Sequence, residues 1–212
     1  MSRRPHRILY AVAALALLWA APALAKAKAP PDYFPLRLHD WWKYRSTQAS
    51  GSTSEFTLSV ISEEKQPDGT VRRCVELTNP NPLIRDWYTK APGDVLLHDE
   101  EYLGGGGKAA FEPPRLLLQL PLHPGSTWRW SGTGRAGVRI EESSEVFPSE
   151  RIETPAGRFD AVKVVTRIEQ GGAHATKTSW YAPGIGLVRQ ATDSSGVTST
   201  TDLIDYSFRP RR

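Results

Sequence analysis

The sequence predicts an all-β protein, a strongly curved antiparallel sheet of roughly 10 to 12 strands that forms an open barrel from two similar halves. Three observations support this fold class. Apolar and polar residues alternate with period two over much of the chain, and turn-forming residues interrupt the alternation about every 8 to 12 positions. A set of turn-forming and aromatic residues occurs twice in the same order. Beyond the N-terminal segment, no stretch has the spacing of apolar residues that a long amphipathic helix requires.

The repeated set is the most specific of these observations. Each copy contains a Pro-Leu pair, an aromatic-basic-aromatic triplet, a Pro-x-Gly turn, a Trp-Tyr pair and an Ala-Pro-Gly turn. The first copy consists of Pro35-Leu36, Trp42-Lys43-Tyr44, Pro67-Asp68-Gly69, Trp87-Tyr88 and Ala91-Pro92-Gly93. The second consists of Pro121-Leu122, Trp128-Arg129-Trp130, Pro155-Ala156-Gly157, Trp180-Tyr181 and Ala182-Pro183-Gly184. We therefore predict one β domain, 33–208, with repeat units at about 33–103 and 119–208.

Individual strands and turns can be placed on the same grounds. Strands with one face on a core are expected around Phe56 to Val60, Val138 to Ile140 and Phe159 to Ile168, because β-branched and aromatic residues predominate there. The last two strands are predicted at about 187–191 and 197–208. Tight turns are predicted at Gln66-Pro67-Asp68-Gly69, Gly171-Gly172 and Ser194-Ser195-Gly196, where proline presets φ or glycine supplies a positive φ.

Two segments do not show the alternation of the predicted strands, so their structure is interpreted separately. The apolar block from Pro114 to Leu120 is compatible with a short helix or a buried strand, since periodicity cannot separate them over so few residues. The four-glycine stretch Gly104 to Gly107 is interpreted as a linker between the two units. A phosphate-binding loop would require Gly-Lys-Ser/Thr, whereas Lys108-Ala109-Ala110 follows here.

The N-terminal segment has the features of a secretory signal peptide, predicted at residues 1–25. Three arginines precede an apolar run from Ile8 to Ala20, and Ala23-Leu24-Ala25 matches the small-x-small cleavage pattern. An uncleaved membrane anchor is the alternative, but the run is shorter than the roughly 20 residues that span a bilayer. A flexible lead-in is predicted at 26–32. Localisation is therefore expected to be periplasmic or secreted.

Charge argues against a nucleic-acid partner. The full chain has 27 Lys and Arg against 23 Asp and Glu, and three of the arginines lie in the predicted signal peptide. Cleavage would leave 24 basic and 23 acidic residues, a net charge of +1. Nucleic-acid binding is favoured by a clustered basic face. The tail 209–212 is basic, but it is expected to be a solvated terminus.

No pattern predicts a catalytic, metal or cofactor site. The histidines after residue 25, which are His39, His98, His123 and His174, lack the short paired spacing of zinc sites. The acidic run Asp99 to Glu101 is interpreted as a solvated strand end, and no Gly-x-Ser-x-Gly elbow is present. Glu141 and Glu142 are adjacent on a strand, so they should point to opposite faces. The single cysteine, Cys74, excludes an internal disulfide and is expected to be buried.

Aromatic residues are the remaining candidates for a site. They either fill the core of each unit or line a cavity for an apolar or sugar ligand, and the pattern leaves both open. Because neighbours alternate, one of Trp41 and Trp42 should be exposed or lie at a rim. The set comprises Trp41, Trp42, Trp87, Trp128, Trp130 and Trp180, with Tyr44, Tyr88, Tyr102 and Tyr181.

Two motifs resemble a known family. Residues 153–164 (Glu-Thr-Pro-Ala-Gly-Arg-Phe-Asp-Ala-Val-Lys-Val) and 180–188 (Trp-Tyr-Ala-Pro-Gly-Ile-Gly-Leu-Val) are similar to those of the TapB-like family, exported or lipid-anchored bacterial envelope proteins of unknown function. The block 33–36 with Trp42-Lys43-Tyr44 resembles that family's opening strand. By fold analogy, the resemblance implies a half-open barrel like those of periplasmic lipoprotein carriers. The chain departs from the family pattern in lacking a lipobox cysteine directly after the predicted cleavage site, which implies a product without a lipid anchor.

These observations give one leading hypothesis and two alternatives. We expect an exported, non-catalytic envelope protein that binds a lipid or other apolar ligand, or another envelope component, through its barrel. The first alternative is a structural or protein-interaction module with a filled core. The second is an envelope hydrolase, which would require carboxylates or a triad converging in a cleft.

Overall fold

The computed structural model describes residues 30–208 as a barrel of twelve strands with one short 3₁₀ helix, η1. The predicted signal peptide 1–25, most of the lead-in 26–32 and the tail 209–212 lie outside the described residues. The elements are β1 Trp41–Gln48, β2 Thr53–Lys65, β3 Val71–Asn79, β4 Asn81–Lys90, β5 Asp94–Tyr102, β6 Gly107–Gln119, β7 Thr127–Thr133, η1 Arg135–Gly137, β8 Arg139–Thr154, β9 Gly157–Gln170, β10 Ala173–Ala182, β11 Gly186–Ser194 and β12 Val197–Tyr206.

The strands form an antiparallel, up-and-down sheet that closes on itself. Each strand pairs with its neighbours in the sequence, and β1 pairs with β12 from Trp42 opposite Tyr206 to Gln48 opposite Ser199. The all-β, antiparallel prediction is confirmed, but the prediction of an open barrel was wrong. Closure satisfies the backbone groups of the first and last strands, which an open sheet leaves unpaired.

The structure refines three local predictions. The block from Pro114 to Leu120 is not helical, since residues up to Gln119 belong to β6. The glycine stretch Gly104 to Gly107 lies at the turn of the β5–β6 hairpin, with Gly105 at φ 91°. The last strand ends at Tyr206 rather than Phe208.

The repeated residues occupy matching places six strands apart. The triplets lie in β1 and β7, the Pro-x-Gly motifs at the β2–β3 and β8–β9 turns, and the Trp-Tyr pairs in β4 and β10. An Ala-Pro-Gly motif follows each pair at the turn to the next strand. This arrangement is consistent with the predicted duplication, which stays a prediction.

Three apolar clusters pack in the barrel interior. One includes Trp42, Tyr44 and Leu203, the second includes Val95, Trp128 and Val146, and the third consists of Leu97, Phe111, Trp130 and Ile140. Cys74 is buried as expected, and burial raises the pKa of its thiol to about 11, so the thiol is inert at neutral pH.

The segment before β1 belongs to the core although it forms no strand. Tyr33 and Leu36 are buried within the apolar clusters. Asp32, the last residue of the predicted lead-in, is held by the Lys90 ammonium at 2.6 Å and by the Gly184 amide, which donates to its carbonyl at 2.6 Å. The chain is therefore anchored to two β-turns immediately before it enters the barrel.

The β6–β7 junction is the weakest pairing in the barrel. Every other pair of neighbouring strands is in register over six or more positions, whereas β6 and β7 share only Glu112 opposite Thr133. Pro113 and Pro114 have no N–H group to donate to β7. A side chain replaces the missing backbone bond, since Trp130 Nε1 donates to the Pro114 carbonyl at 3.0 Å.

Gly132 lies at this junction, and Gly132→Ala is expected to destabilise the barrel by about 1–3 kcal/mol. A Cβ at this position would lie 2.7 Å from the Glu112 carbonyl oxygen, which is backbone and cannot rotate away. Chemical unfolding measures the change. Gly93→Ala is the matched control, because a Cβ there meets nothing within 4 Å. Equal midpoints for the two variants would contradict the prediction.

Within residues 30–208, the structure contains no helix with the length and apolar character needed to cross a membrane.

Candidate functional site

A cavity of about 180 Å³ lies inside the barrel among the aromatic residues. Strands β1, β2, β3, β4, β6, β10 and β11 contribute to its wall, together with the segment 34–36. Apolar side chains form most of the lining, including Leu36, Trp42, Leu58, Val75, Leu117 and Leu187. A volume of this size suits one aromatic ring or a short alkyl chain, since an engineered apolar cavity of about 150 Å³ accepts benzene.

The aromatic side chains of the cavity have their polar ends bonded to the protein. Trp42 Nε1 donates to the Ile185 carbonyl at 2.7 Å, and the Tyr44 hydroxyl donates to the Leu187 carbonyl at 2.9 Å. Burial raises the pKa of Tyr181 to about 12, so this side chain is neutral at physiological pH. The rings are therefore fixed in place, and the cavity is preformed.

The predicted aromatic set divides between core and cavity. Trp42, Tyr44, Tyr88 and Tyr181 border the cavity, whereas Trp128 and Trp130 are packed in the apolar clusters without bordering it. The other members, which do not border the cavity, are half-buried: Trp41, Trp87, Trp180 and Tyr102. The Lys108 ammonium lies over the Trp87 ring, Trp180 donates a hydrogen bond to Glu150, and Tyr102 donates one to Glu100. Trp41 is the more accessible of the Trp41–Trp42 pair, as alternation requires.

A group of charged residues lies inside the barrel next to the cavity. Arg115 donates from Nε and Nη2 to the two carboxylate oxygens of Glu142, whose side chain is 5% exposed. This bidentate pair links β6 to β8 across β7, at the junction where backbone pairing is weakest. The pair therefore supports closure of the barrel as well as neutralising a buried charge.

Asp86 is the second member of this group. Its carboxylate accepts a hydrogen bond from Tyr88 at 3.0 Å, while the other carboxylate oxygen is buried without a hydrogen-bond partner. Burial, together with the nearby Glu100, raises the pKa of Asp86 to about 7. A carboxyl group in these surroundings is partly protonated at neutral pH.

Lys177 is the third member and borders the cavity itself. It lies on β10 opposite Thr166, which is buried and shares a 2.9 Å hydrogen bond with Ser144. Burial, with a smaller contribution from the nearby Arg115, lowers the pKa of Lys177 to about 8. No hydrogen bond or ion pair joins its ammonium to another of the described residues. An unpaired cation therefore faces an apolar cavity.

The acidic residues considered in the sequence separate onto different faces. Glu141 is exposed and Glu142 is buried, as expected for neighbours on a strand. The run Asp99 to Glu101 is not simply a solvated strand end. Asp99 is buried in ion pairs with Arg72 and Lys108, and Glu100 accepts a hydrogen bond from Tyr102 at 3.0 Å. Among residues 30–208, no group of three His, Cys, Asp or Glu side chains is arranged to hold a metal ion.

An outer groove of about 620 Å³ runs across β7 to β10. Glu141, Glu169 and His174 line it, together with Arg129 and Arg167. These side chains are exposed, and the groove is open to solvent. The other three histidines lie elsewhere: His39 precedes β1, His98 shares a 2.8 Å hydrogen bond with Thr89, and His123 is exposed in the β6–β7 connection.

Sequence reasoning did not single out Asp86, Arg115 or Lys177. A signal was present for Lys177, since it has the same strand parity as Ser179 and Tyr181 and so shares their buried face. Arg115 interrupts an apolar block, which also indicates a buried charge with a partner. The partner, Glu142, is 27 residues away in the sequence and could not be assigned without the barrel register.

Comparisons with known proteins show similarity in part of the sequence and in the fold. A family model described as DUF3108-like matches residues 135–203, about a third of the chain. A proposed lipoprotein from Parabacteroides distasonis has a TM-score of 0.55 and 18% identity, over 85% of this chain and 100% of that chain. A proposed exported protein with a YmcC-like fold from Bacteroides fragilis has a TM-score of 0.54 and 16% identity, over 84% and 99%. Among curated proteins, none matches the sequence.

Proposed function

We propose that this protein is an exported, non-catalytic envelope protein that binds a small apolar ligand inside its closed barrel. The observation that carries the proposal is the preformed cavity of about 180 Å³, whose aromatic wall residues have their polar ends bonded to the protein. Concave, mostly apolar cavities with few polar groups are the usual form of small-molecule sites. The resting volume accepts a ring or a short chain rather than a complete diacyl lipid.

Localisation in the periplasm or outside the cell is part of this proposal. Its support is the signal-peptide pattern in residues 1–25 and the fold shared with proteins described as exported or as lipoproteins. Membership of the TapB-like family remains a proposal based on residues 153–164 and 180–188.

Filling the cavity is expected to abolish binding. Leu58 lines the cavity, so in Leu58→Trp the larger side chain should occupy the ligand volume and weaken binding of 1-hexanol at least tenfold. Titration of tryptophan fluorescence or calorimetry measures the affinity. Ile61→Trp is the matched control, because Ile61 lies on the same strand but is exposed. Absence of hexanol binding by the wild-type protein would contradict the proposed function.

The non-catalytic assignment rests on how the candidate acid and base groups are placed. Glu141, Glu169 and His174 line the outer groove and are exposed to solvent, whereas Glu142, which also lines it, is buried with both carboxylate oxygens bonded to Arg115. General acid–base catalysis depends on desolvation or close charges that adjust the pKa of the catalytic groups. The three exposed groups are little desolvated in this groove, and the carboxylate of Glu142 is neutralised by Arg115. Hydrolysis of envelope polysaccharide or peptide by the purified protein would overturn this assignment.

A protein-interaction module is the second candidate. Its support is that Trp128 and Trp130 are packed in the core and do not border the cavity. Native mass spectrometry of protein purified from the periplasm separates the candidates. A bound small molecule supports the first, whereas a bound protein with an empty cavity supports the second.

A further inference from the structure

The cavity contains one feature that a purely apolar ligand would not use. Lys177 borders it with an ammonium group that has no hydrogen-bond or ion-pair partner among the described residues. Lys177 is half-buried, and a cation that borders an apolar cavity loses part of its hydration without a protein group to replace it. Such a group is expected to be compensated when a ligand supplies the missing negative charge.

The nearby carboxylates are not available for this role. Glu142 is bonded through both oxygens to Arg115, and Glu100 accepts a hydrogen bond from Tyr102. Neither forms an ion pair with Lys177, although both are close enough to act on it electrostatically. They also make the surroundings unfavourable for a dianion, since each would repel a second negative charge.

We infer that the ligand is a monoanionic amphiphile, whose carboxylate pairs with Lys177 while its apolar tail occupies the aromatic part of the cavity. This inference rests on the proposed function and adds the chemical class of the ligand. The tail would contain about six carbon atoms in the resting cavity, by comparison with the benzene-sized cavity. Gln190, which also lines the cavity, offers a neutral amide.

The protonation state of Lys177 is compatible with this role. With a pKa of about 8, the side chain is mostly charged at pH 7 even without a ligand. A bound carboxylate would favour the charged form further. The cation is thus present when the ligand arrives.

Three ligands with the same tail test the inference: hexanoate, 1-hexanol and hexylamine. The wild-type protein is expected to bind hexanoate about 10- to 100-fold more tightly than hexanol, as a charge-assisted hydrogen bond contributes that difference. Hexylamine should bind most weakly, because its ammonium would face Lys177. Calorimetry at pH 7 gives the three affinities.

Variants of Lys177 provide the second part of the test. Lys177→Met should remove the preference for hexanoate and leave hexanol binding in place, whereas Lys177→Arg should keep the preference. Lys163→Met is the matched control, because Lys163 stands over the Phe147 ring and does not line the cavity. If Lys177→Met does not fold, the relative affinities of the wild-type protein for hexanoate, hexanol and hexylamine still test whether the ligand is an anion.

The outcomes distinguish this inference from the proposed function. If hexanol and hexanoate bind equally well to the wild type, or if hexylamine binds more tightly than both, the inference is overturned and the apolar cavity keeps its role. If none of the three ligands binds, the proposed function itself fails and the inference fails with it.

Discussion

Replacing Arg115 by methionine is expected to lower the free energy of unfolding by about 3–5 kcal/mol, the largest effect predicted for this protein. Glu142 is 5% exposed in the side chain, and its two oxygens accept their hydrogen bonds from Arg115. Removal of the guanidinium leaves a buried carboxylate without compensation. It also removes a bridge between β6 and β8, where the barrel has little backbone pairing. Urea unfolding followed by tryptophan fluorescence measures the loss.

A double variant and an exposed pair serve as controls for this prediction. Arg115→Met combined with Glu142→Gln should recover part of the lost stability, because the second substitution removes the uncompensated charge. Arg151→Met should change stability by no more than about 0.5 kcal/mol, since Arg151 and Asp160 form a pair that is about three-quarters exposed. A loss of less than about 1 kcal/mol for Arg115→Met would show that the pair contributes little to closure.

Asp86→Asn is expected to make the free energy of unfolding less sensitive to pH. The pH-dependent change in the difference between variant and wild type should be at most about 4 kcal/mol. Burial and Glu100 raise the pKa of Asp86 to about 7 in the folded protein, above its ordinary value of 3.8. A group of this kind contributes stability that is fully present below its unfolded pKa and is lost as the pH rises through its folded pKa. Asparagine matches the neutral carboxyl and can accept the Tyr88 hydrogen bond.

The expected result has a definite sign and pH range. The free energy of unfolding of the variant, relative to that of the wild type, should rise between about pH 4 and pH 7 and remain constant above that. Urea unfolding at pH 4.5, 6 and 8 measures this difference. Asp160→Asn is the control, because about three-quarters of the Asp160 side chain is exposed and the substitution involves no buried carboxyl group. A difference that stays flat across this range would mean that Asp86 is already ionised at low pH.

Local patterns predicted most of the strands, because each depends on a few neighbouring residues. The alternation from Phe56 to Val60 lies in β2, and the predicted turn at Gln66 to Gly69 joins β2 to β3. Closure of the barrel could not be predicted in the same way. It depends on the pairing of β1 with β12, residues more than 150 positions apart, and an edge strand and a paired strand have the same alternation.

The candidate site was predicted only in its apolar part. Aromatic residues such as Trp42 and Tyr44 attract attention by type, and two members of the set, Tyr88 and Tyr181, also border the cavity. The charged residues of the site were not predicted, because a lysine in a threonine-rich strand has the pattern of a strand face exposed to solvent. Which face of β10 is buried depends on the register of neighbouring strands, and that register places Lys177 inside.

The two consecutive prolines of β6, Pro113 and Pro114, have a consequence for how the barrel is closed between β6 and β7. Separating β6 from β7 interrupts almost no backbone ladder, whereas separating any other neighbours breaks a row of amide hydrogen bonds. The contacts that hold β6 near β7 and β8 are made largely by side chains: the Trp130 indole on the Pro114 carbonyl, the Phe111 ring against Trp130, and the Arg115 guanidinium on Glu142. Closure of the barrel along this line therefore depends on the identity of a few side chains, whereas elsewhere it depends on backbone hydrogen bonds that any sequence of strand residues supplies.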